Sequence, residues 1–269
     1  MKSFLYILLN EVKRFFTIKE YRVLLLLGLK YGRSKRYQAK QVSFSRNKFN
    51  IADFQSFFWQ YKQIYVDQCY AFKSTSVSPV IIDCGANVGL SALYFSRNYT
   101  NAKVIAYEAD TNVFKCLTDN ILISRMSNVV GINKAVWINN EGVSFSVEGA
   151  DGGAVSSNKN AKTISVESIS LVDILAAHQS VDLLKIDIEG AEVEVIRSAK
   201  EVLKKCKNIF VEYHSFKGQP QYLHEILSIL SDNGFRYYVK EEVVLAQPFV
   251  TKGNKGAMDM QINIFAYTV

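Results

Sequence analysis

Val80-Ile-Ile-Asp-Cys-Gly-Ala-Asn-Val-Gly89 decides the architecture. Its first three residues are an unbroken aliphatic run, the pattern of a strand covered on both faces, as strands of a parallel sheet are. Asp83 ends that strand, Gly85–Asn87 turn the chain, and a helix is expected from Gly89 to about Arg97. The two glycines are spaced G-x-x-x-G, not the G-x-G-x-x-G of dinucleotide-binding turns. Gly85 permits a tight turn and close approach of the backbone to a ligand. Gly89 lets the next helix start near the sheet, where its first-turn amides can meet a carboxylate. Asp83 stands where a ligand's ammonium could pair with it, so an amino-acid-bearing nucleoside suits the turn.

Outward from this segment, strand and helix patterns alternate. Val104–Tyr107, Val129–Val136, Val181–Ile186 and Asn208–Tyr213 read as strands. Helices are expected over Thr111–Ser124, Leu171–Ala177, Ala191–Lys204 and Gln219–Asp232, the last stopped by Asn233-Gly234. A polar loop, Glu148–Ala154, interrupts the series. Phe235–Lys240 and Met260–Val269 close the chain as two strands with no helix between them, which makes one member antiparallel. The result is an α/β, doubly wound, mainly parallel sheet. Ligands bind such sheets at the carboxyl ends of the strands, near the switch in strand order.

The second strand ends in Tyr107-Glu108-Ala109-Asp110. An acid there, 23 residues past Gly85, can accept two hydrogen bonds from ribose hydroxyls. Gly85, Ala86, Asn87, Gly89, Glu108 and Ala109 are therefore the candidate cofactor residues, together with Asp83. The fourth strand carries Asp182-Leu-Leu-Lys-Ile-Asp-Ile-Glu-Gly190. Lys185, Asp187 and Glu189 alternate with apolar residues and so share one face. Charges at the end of a core strand need partners. They read either as reacting groups or as a Lys185–Asp187 ion pair followed by a helix-starting Glu189. The fifth strand ends in Glu212-Tyr213-His214, with Glu212 and His214 pointing toward Asp187. His214 is the first candidate for a general base, supported by Asp187 or Glu189, with Lys185 orienting them; Asp187 could instead hold the cofactor's amino group. Asp187, Glu189, Glu212 and His214 also form a candidate ligand set for a divalent ion.

Charge separates the N-terminal part from the rest. Residues 1–48 hold 12 of the 32 Lys and Arg but two of the 25 acids, a net of +10 against −3 for the remainder. A uniformly basic nucleic-acid-binding domain would look different, so no nucleic-acid partner is expected. Phe4, Leu5, Leu8, Leu9, Val12, Phe15 and Phe16 recur at helical spacing among the basic residues. Such a helix either lies on an anionic membrane surface or packs its apolar stripe on the domain or on a second copy in a homodimer. Residues 33–48 read as a polar connector, giving an extension over 1–50 and a catalytic domain over 51–269. No apolar run approaches the roughly 20 residues a spanning helix needs, and no secretory signal is evident. Cys69, Cys84, Cys116 and Cys206 show no paired spacing, which suits a reduced, cytoplasmic chain, with Cys84 a small buried hydrophobe.

IIDCGANVGLSALYF at Ile81–Phe95, AYEAD at Ala106–Asp110 and VDLLKIDIEGAEVEVI at Val181–Ile196 resemble the FkbM family of methyltransferases. The glycine pair around Asp151-Gly-Gly153 and VEYH at Val211–His214 add to the likeness, which runs from about residue 53 to 267. Lys185-x-Asp-x-Glu-Gly190 is its most specific element. The resemblance implies a seven-stranded class I methyltransferase fold, Rossmann-like, with S-adenosylmethionine as cofactor and a hydroxyl of a sugar, glycan or related metabolite as acceptor. Gly85, Asn87, Gly89 and Glu108 match the family's cofactor positions. Ala109 stands where the family commonly has proline, Val172 replaces the first acid of a Leu-Asp-Asp segment, and Ser198 replaces a glycine. Two other classes share parts of this pattern: a nicotinamide-dependent oxidoreductase, which would not explain Lys185-x-Asp-x-Glu189, and a non-catalytic binding protein on the same fold.

Overall fold

The computed structural model describes residues 13–146, 163–242, 247–251 and 258–268. The loop Glu148–Ala154 and the stripe from Phe4 to Val12 lie outside the described residues. A seven-stranded sheet organises the chain, with strands β3 (Val80–Cys84), β4 (Lys103–Tyr107), β5 (Val129–Ile132), β10 (Leu183–Ile186), β11 (Asn208–Phe216), β12 (Arg236–Glu241) and β13 (Met258–Tyr267). Their spatial order is β12-β13-β11-β10-β3-β4-β5. All pairs from β11 to β5 are parallel, while β13 runs antiparallel to both β11 and β12. The order reverses at β3, so the crevice between β3 and β10 is the topological switch point.

Both faces of the sheet are covered. Ile81 of β3 joins one core cluster and Ile82 the other, as a doubly covered strand requires. On the first face lie α1 (Lys19–Tyr31), the hairpin of β1 (Lys40–Phe44) and β2 (Asn47–Ile51), α2 (Phe54–Tyr61), α3 (Leu90–Asn98) and α4 (Thr111–Ile123). Leu24, Leu27, Val42, Phe44, Phe49 and Ile51 share one core with Phe57 and Phe95. Residues 40–51 are thus a packed hairpin rather than a connector, and α1 buries one stripe on the domain. The opposite face is covered by α5 (Leu171–Ala176), α6 (Glu192–Ser198) and α7 (Leu223–Asp232), whose Leu175, Ile196 and Ile226 pack with Leu184 and Val211.

Two expected elements are broken. The third strand stops at Ile132, where the Asn133 amide donates to the carbonyls of Glu108 and Ala109 at 2.9 and 3.1 Å and turns the chain off the sheet edge. Residues beyond it form β6 (Ala135–Trp137), which pairs in parallel with β9 (Ser168–Ser170), while β7 (Val143–Ser146) pairs with β8 (Thr163–Val166). The helix expected over Ala191–Lys204 ends at Ser198. Its hydroxyl donates to the Val195 carbonyl at 2.8 Å, and the Ala199 amide is shared between Val195 and Ile196. This tightens the last turn. No described helix is long and apolar enough to cross a membrane.

Candidate active site

Strand alternation assembles the site. Ile81, Leu183 and Phe210 point into the first core, and Asp83, Lys185 and Glu212, two residues later on each strand, point the same way. Residue 214 follows on that face. At the exits of β3, β10 and β11 these side chains meet a cavity of about 610 Å³ whose lining includes Gly85, Ala86, Asn87, Lys185, Asp187, Glu189, Glu212 and His214. Asp83, Gly89, Glu108 and Ala109 are not part of that lining.

Asp83 is fully buried and already has its cation. Lys185 Nζ lies 3.1 Å from Asp83 Oδ1 and 3.3 Å from Asp187 Oδ2, and donates to the Gly85 carbonyl at 2.9 Å. The Ser91 hydroxyl donates to Asp83 Oδ2 at 2.6 Å. Of the two acids the sequence offers to a ligand's ammonium, Asp187, whose side chain is 22% exposed, is the accessible one, and Asp83 is enclosed with Lys185. Burial disfavours the Lys185 charge, yet Asp83 and Asp187 outweigh that and raise its pKa above the ordinary lysine value. Lys185 thus ties β3, β10 and the glycine turn together.

The turn needs its first glycine. Gly85 has φ +83°, and a Cβ there would stand 1.8 Å from the Asp187 carbonyl oxygen. Gly89, the left-handed N-cap of α3, lies against Leu117 of α4, so a side chain there would collide with that helix. Glu108 is bound to the turn from the neighbouring strand. Its Oε2 accepts the Asn87 amide and its Oε1 the Asp110 amide, each at 2.9 Å. Each oxygen keeps a further lone pair, the capacity two ribose hydroxyls would use. Burial pushes the Glu108 carboxyl up to about 7. Ala109 packs at the edge of the small cluster of Ala135, Val143 and Val166.

His214 is the most constrained group. Its Nδ1 lies 3.0 Å from Glu192 Oε1, and its Nε2 lies 3.8 Å from both Glu189 Oε2 and Glu212 Oε1. Burial opposes a charge on the ring, but Glu192, Glu189 and Glu212 together raise its pKa well above the ordinary histidine value. An imidazolium has no lone pair with which to take a proton. The shift favours the protonated ring, whereas the general-base role expected from the sequence uses the neutral one. Burial raises the pKa of Glu189 and Glu212 as well, with Asp187 adding repulsion in both cases. Glu189 occupies a left-handed backbone conformation at φ 57°, a strained position for a non-glycine residue and one that clusters at functional sites. Asp187, Glu212 and His214 each bring one ligand-capable atom to within 4.8 Å of the others, whereas Glu189 falls outside that set.

Glu192 was not singled out from sequence. It is fully buried, and one oxygen accepts the Ile188 amide, the Gly190 amide and His214. In the sequence it reads as an ordinary first-turn acid of a helix. Its place two residues after Gly190 was the available signal. Gln261 of β13, which donates to Glu212, was likewise unpredicted.

The profile of the methyltransferase FkbM domain matches residues 83–237. Methyltransferase sdnD of Sordaria araneosa is 30% identical over 219 residues, 65% of this chain and 80% of that one. The 2-O-methyltransferase NoeI of Sinorhizobium fredii is 29% identical over 175 residues, 56% of this chain and 71% of that one. Among solved structures, M. jannaschii TYW2 in complex with AdoMet is similar, with a TM-score of 0.47, 16% identity and coverage of 88% of this chain and 89% of that one. The matched profile spans more than half the chain, from Asp83 on β3 to the start of β12, and the chain belongs to the FkbM methyltransferase family.

Proposed function

We propose that the chain transfers a methyl group from S-adenosylmethionine to a hydroxyl oxygen of a sugar, glycan or related metabolite. One observation carries this reading. A single cavity at the switch point is lined both by the glycine turn and by the carboxylates Asp187, Glu189 and Glu212. The residues present fit the cofactor. Glu108 has lone pairs to spare for ribose hydroxyls, Gly85 leaves room where a Cβ would clash, and Asp187 faces the cavity for the amino group. Bound there, S-adenosylmethionine supplies an electrophilic methyl group.

The protein's own task is to hold the acceptor hydroxyl and remove its proton. Glu189 takes that proton. It is half-buried, borders the cavity and has a carboxylate pKa raised by burial toward the range in which a base works at neutral pH. His214, held by Glu192, acts as a fixed positive charge beside Glu189 and Glu212 rather than as the base. Methyl transfer from labelled S-adenosylmethionine to a panel of hydroxylated acceptors tests the reaction, and no transfer to any of them would sink it. The NoeI and sdnD names, both methyltransferases, support the class.

The place of action we propose is the surface of an anionic membrane. Phe16, Leu26 and Leu29 are exposed on the N-terminal helical segment at 73%, 63% and 85%, beside Lys19, Arg22 and Lys30. Exposed apolar side chains interspersed in the sequence with cations suit the headgroup boundary of acidic lipids.

A further inference from the structure

A second part of the cavity wall, away from the strand ends in the chain, is made by α2 and the segment that continues it. Asp53 starts this helix, its side chain accepting the Ser56 amide at 3.0 Å. Phe54, Phe57 and Tyr61 turn into the core. Ser56, Trp59, Gln60 and Gln63 recur at three and four and line the cavity. At Lys62 the helix widens into a π-helical turn, Lys62–Val66, a rare form that is frequent at functional sites.

Three features of this wall call for a ligand. Trp59 is 53% exposed, its indole held edge-on by Phe58 at 5.8 Å. Gln60 and Gln63 are half-buried, yet their side-chain amides make no hydrogen bond to the described residues, although partly desolvated amides gain from a partner. Among the described residues, every basic side chain bordering the cavity is already held by an acid. Arg36 pairs with Asp53 at 3.2 Å, Lys62 with Asp67 at 2.6 Å, Lys185 with Asp83 at 3.1 Å, and His214 with Glu192 at 3.0 Å.

We propose that Trp59, Gln60 and Gln63 are the acceptor-binding wall and that they take an uncharged pyranose ring. This rests on the O-methylation reading above and adds which residues select the acceptor. An indole face matches the apolar C–H face of a sugar ring. An amide both donates and accepts, as a sugar hydroxyl does. A phosphorylated or carboxylated ring would meet Asp187, Glu189, Glu212 and Glu242 in the same cavity with no uncommitted cation among the described residues to offset them. Charge selects against acidic sugars, and the exposed aromatic with two open amides selects for a hydroxylated ring over a purely apolar acceptor.

Two tryptophans occur in the chain, Trp59 and Trp137, so Trp137→Phe leaves Trp59 as the sole indole reporter. In that variant, titration with neutral methyl hexosides and methyl N-acetylhexosaminides is expected to change the Trp59 emission saturably. The corresponding sugar 6-phosphates are expected to bind about tenfold more weakly or not at all. Gln60→Ala and Gln63→Ala, both at the cavity wall, are expected to raise the acceptor KM about tenfold while calorimetric affinity for S-adenosylmethionine and melting temperature stay unchanged. If no neutral glycoside alters the emission, or sugar phosphates bind better, the proposal falls. Saturable emission changes without methyl transfer would leave this wall standing and overturn the reaction. Methyl transfer with KM unmoved by Gln60→Ala, Gln63→Ala and Trp59→Ala would do the reverse.

Discussion

The two walls of the cavity are built in opposite ways. On the strand side, polar groups are largely committed to one another: Lys185 to Asp83, Asp187 and the Gly85 carbonyl, His214 to Glu192, Glu212 to Gln261. On the helical side, the Gln60 and Gln63 amides have no partner among the described residues and Trp59 is 53% exposed. A closed network fixes atoms in place before any ligand arrives, which is what positioning chemistry needs. An open wall is completed only by what binds to it, which is what selection needs. Damage to the first should therefore cost rate or stability, and damage to the second should cost affinity alone.

The sharpest break is expected at Glu189. Glu189→Gln should lower kcat about 10²–10⁴-fold, the usual worth of a positioned base. Binding of S-adenosylmethionine measured by calorimetry should be unaffected, and an unaltered kcat would return the base role to another group. Lys185→Met strikes the network itself. It strands the buried Asp83 carboxylate and should cost about 3–5 kcal/mol of unfolding free energy in denaturant titration; a change below experimental error would mean Asp83 is not relying on Lys185. Glu108→Ala should weaken S-adenosylmethionine about 10–100-fold, as loss of hydrogen bonds to a charged group does, with acceptor KM little changed.

The pH profile follows from the sign of the Glu189 shift. Burial raises its pKa, so at lower pH it carries a proton and cannot accept one. Turnover should rise with pH through the neutral range, and that rise should vanish in the residual activity of Glu189→Gln; an unchanged profile would place the titration elsewhere. The smallest effect is expected from chelation. The Lys185 cation already lies among the acids, and Glu192 holds His214 Nδ1, so EDTA should leave turnover within about twofold. A loss restored by magnesium would instead make Asp187, Glu212 and His214 a metal site. At the periphery, Leu26→Glu with Leu29→Glu should reduce co-sedimentation with anionic vesicles but not with neutral ones. Removal of residues 1–48 is no test of this, because Val42 and Phe44 belong to the core.

The strand side was largely legible before folding. Aliphatic runs with fixed alternation place Lys185, Glu212 and His214 on one face, and the glycine-to-acid spacing places Glu108 beside the turn. Ligand partners were less legible. Asp83 looked available because a sequence does not show Lys185 aligned beside it on the adjacent strand. His214 looked like a free base because Glu192, on the helix before its strand, reads as a solvated acid. The acceptor wall was missed although Ser56, Trp59, Gln60 and Gln63 follow helical spacing. Its aromatic surroundings, Phe54, Phe57, Phe58 and Tyr61, hide one exposed indole among many buried rings. Edge effects such as the Asn133 side chain turning the chain off β5 depend on contacts that no local pattern encodes.

Strand β13 enters the sheet between β11 and β12, both of which precede it in the chain, and brings Gln261 against Glu212. Synthesis therefore delivers the interior of the sheet after its neighbours on either side. While the ribosome is still reading residues before Met258, β11 lacks one flank and the cavity lacks part of its floor. A nascent chain arrested there is expected to be inert toward acceptor, so the emerging polypeptide stays chemically silent until the strand that locks the site has been made.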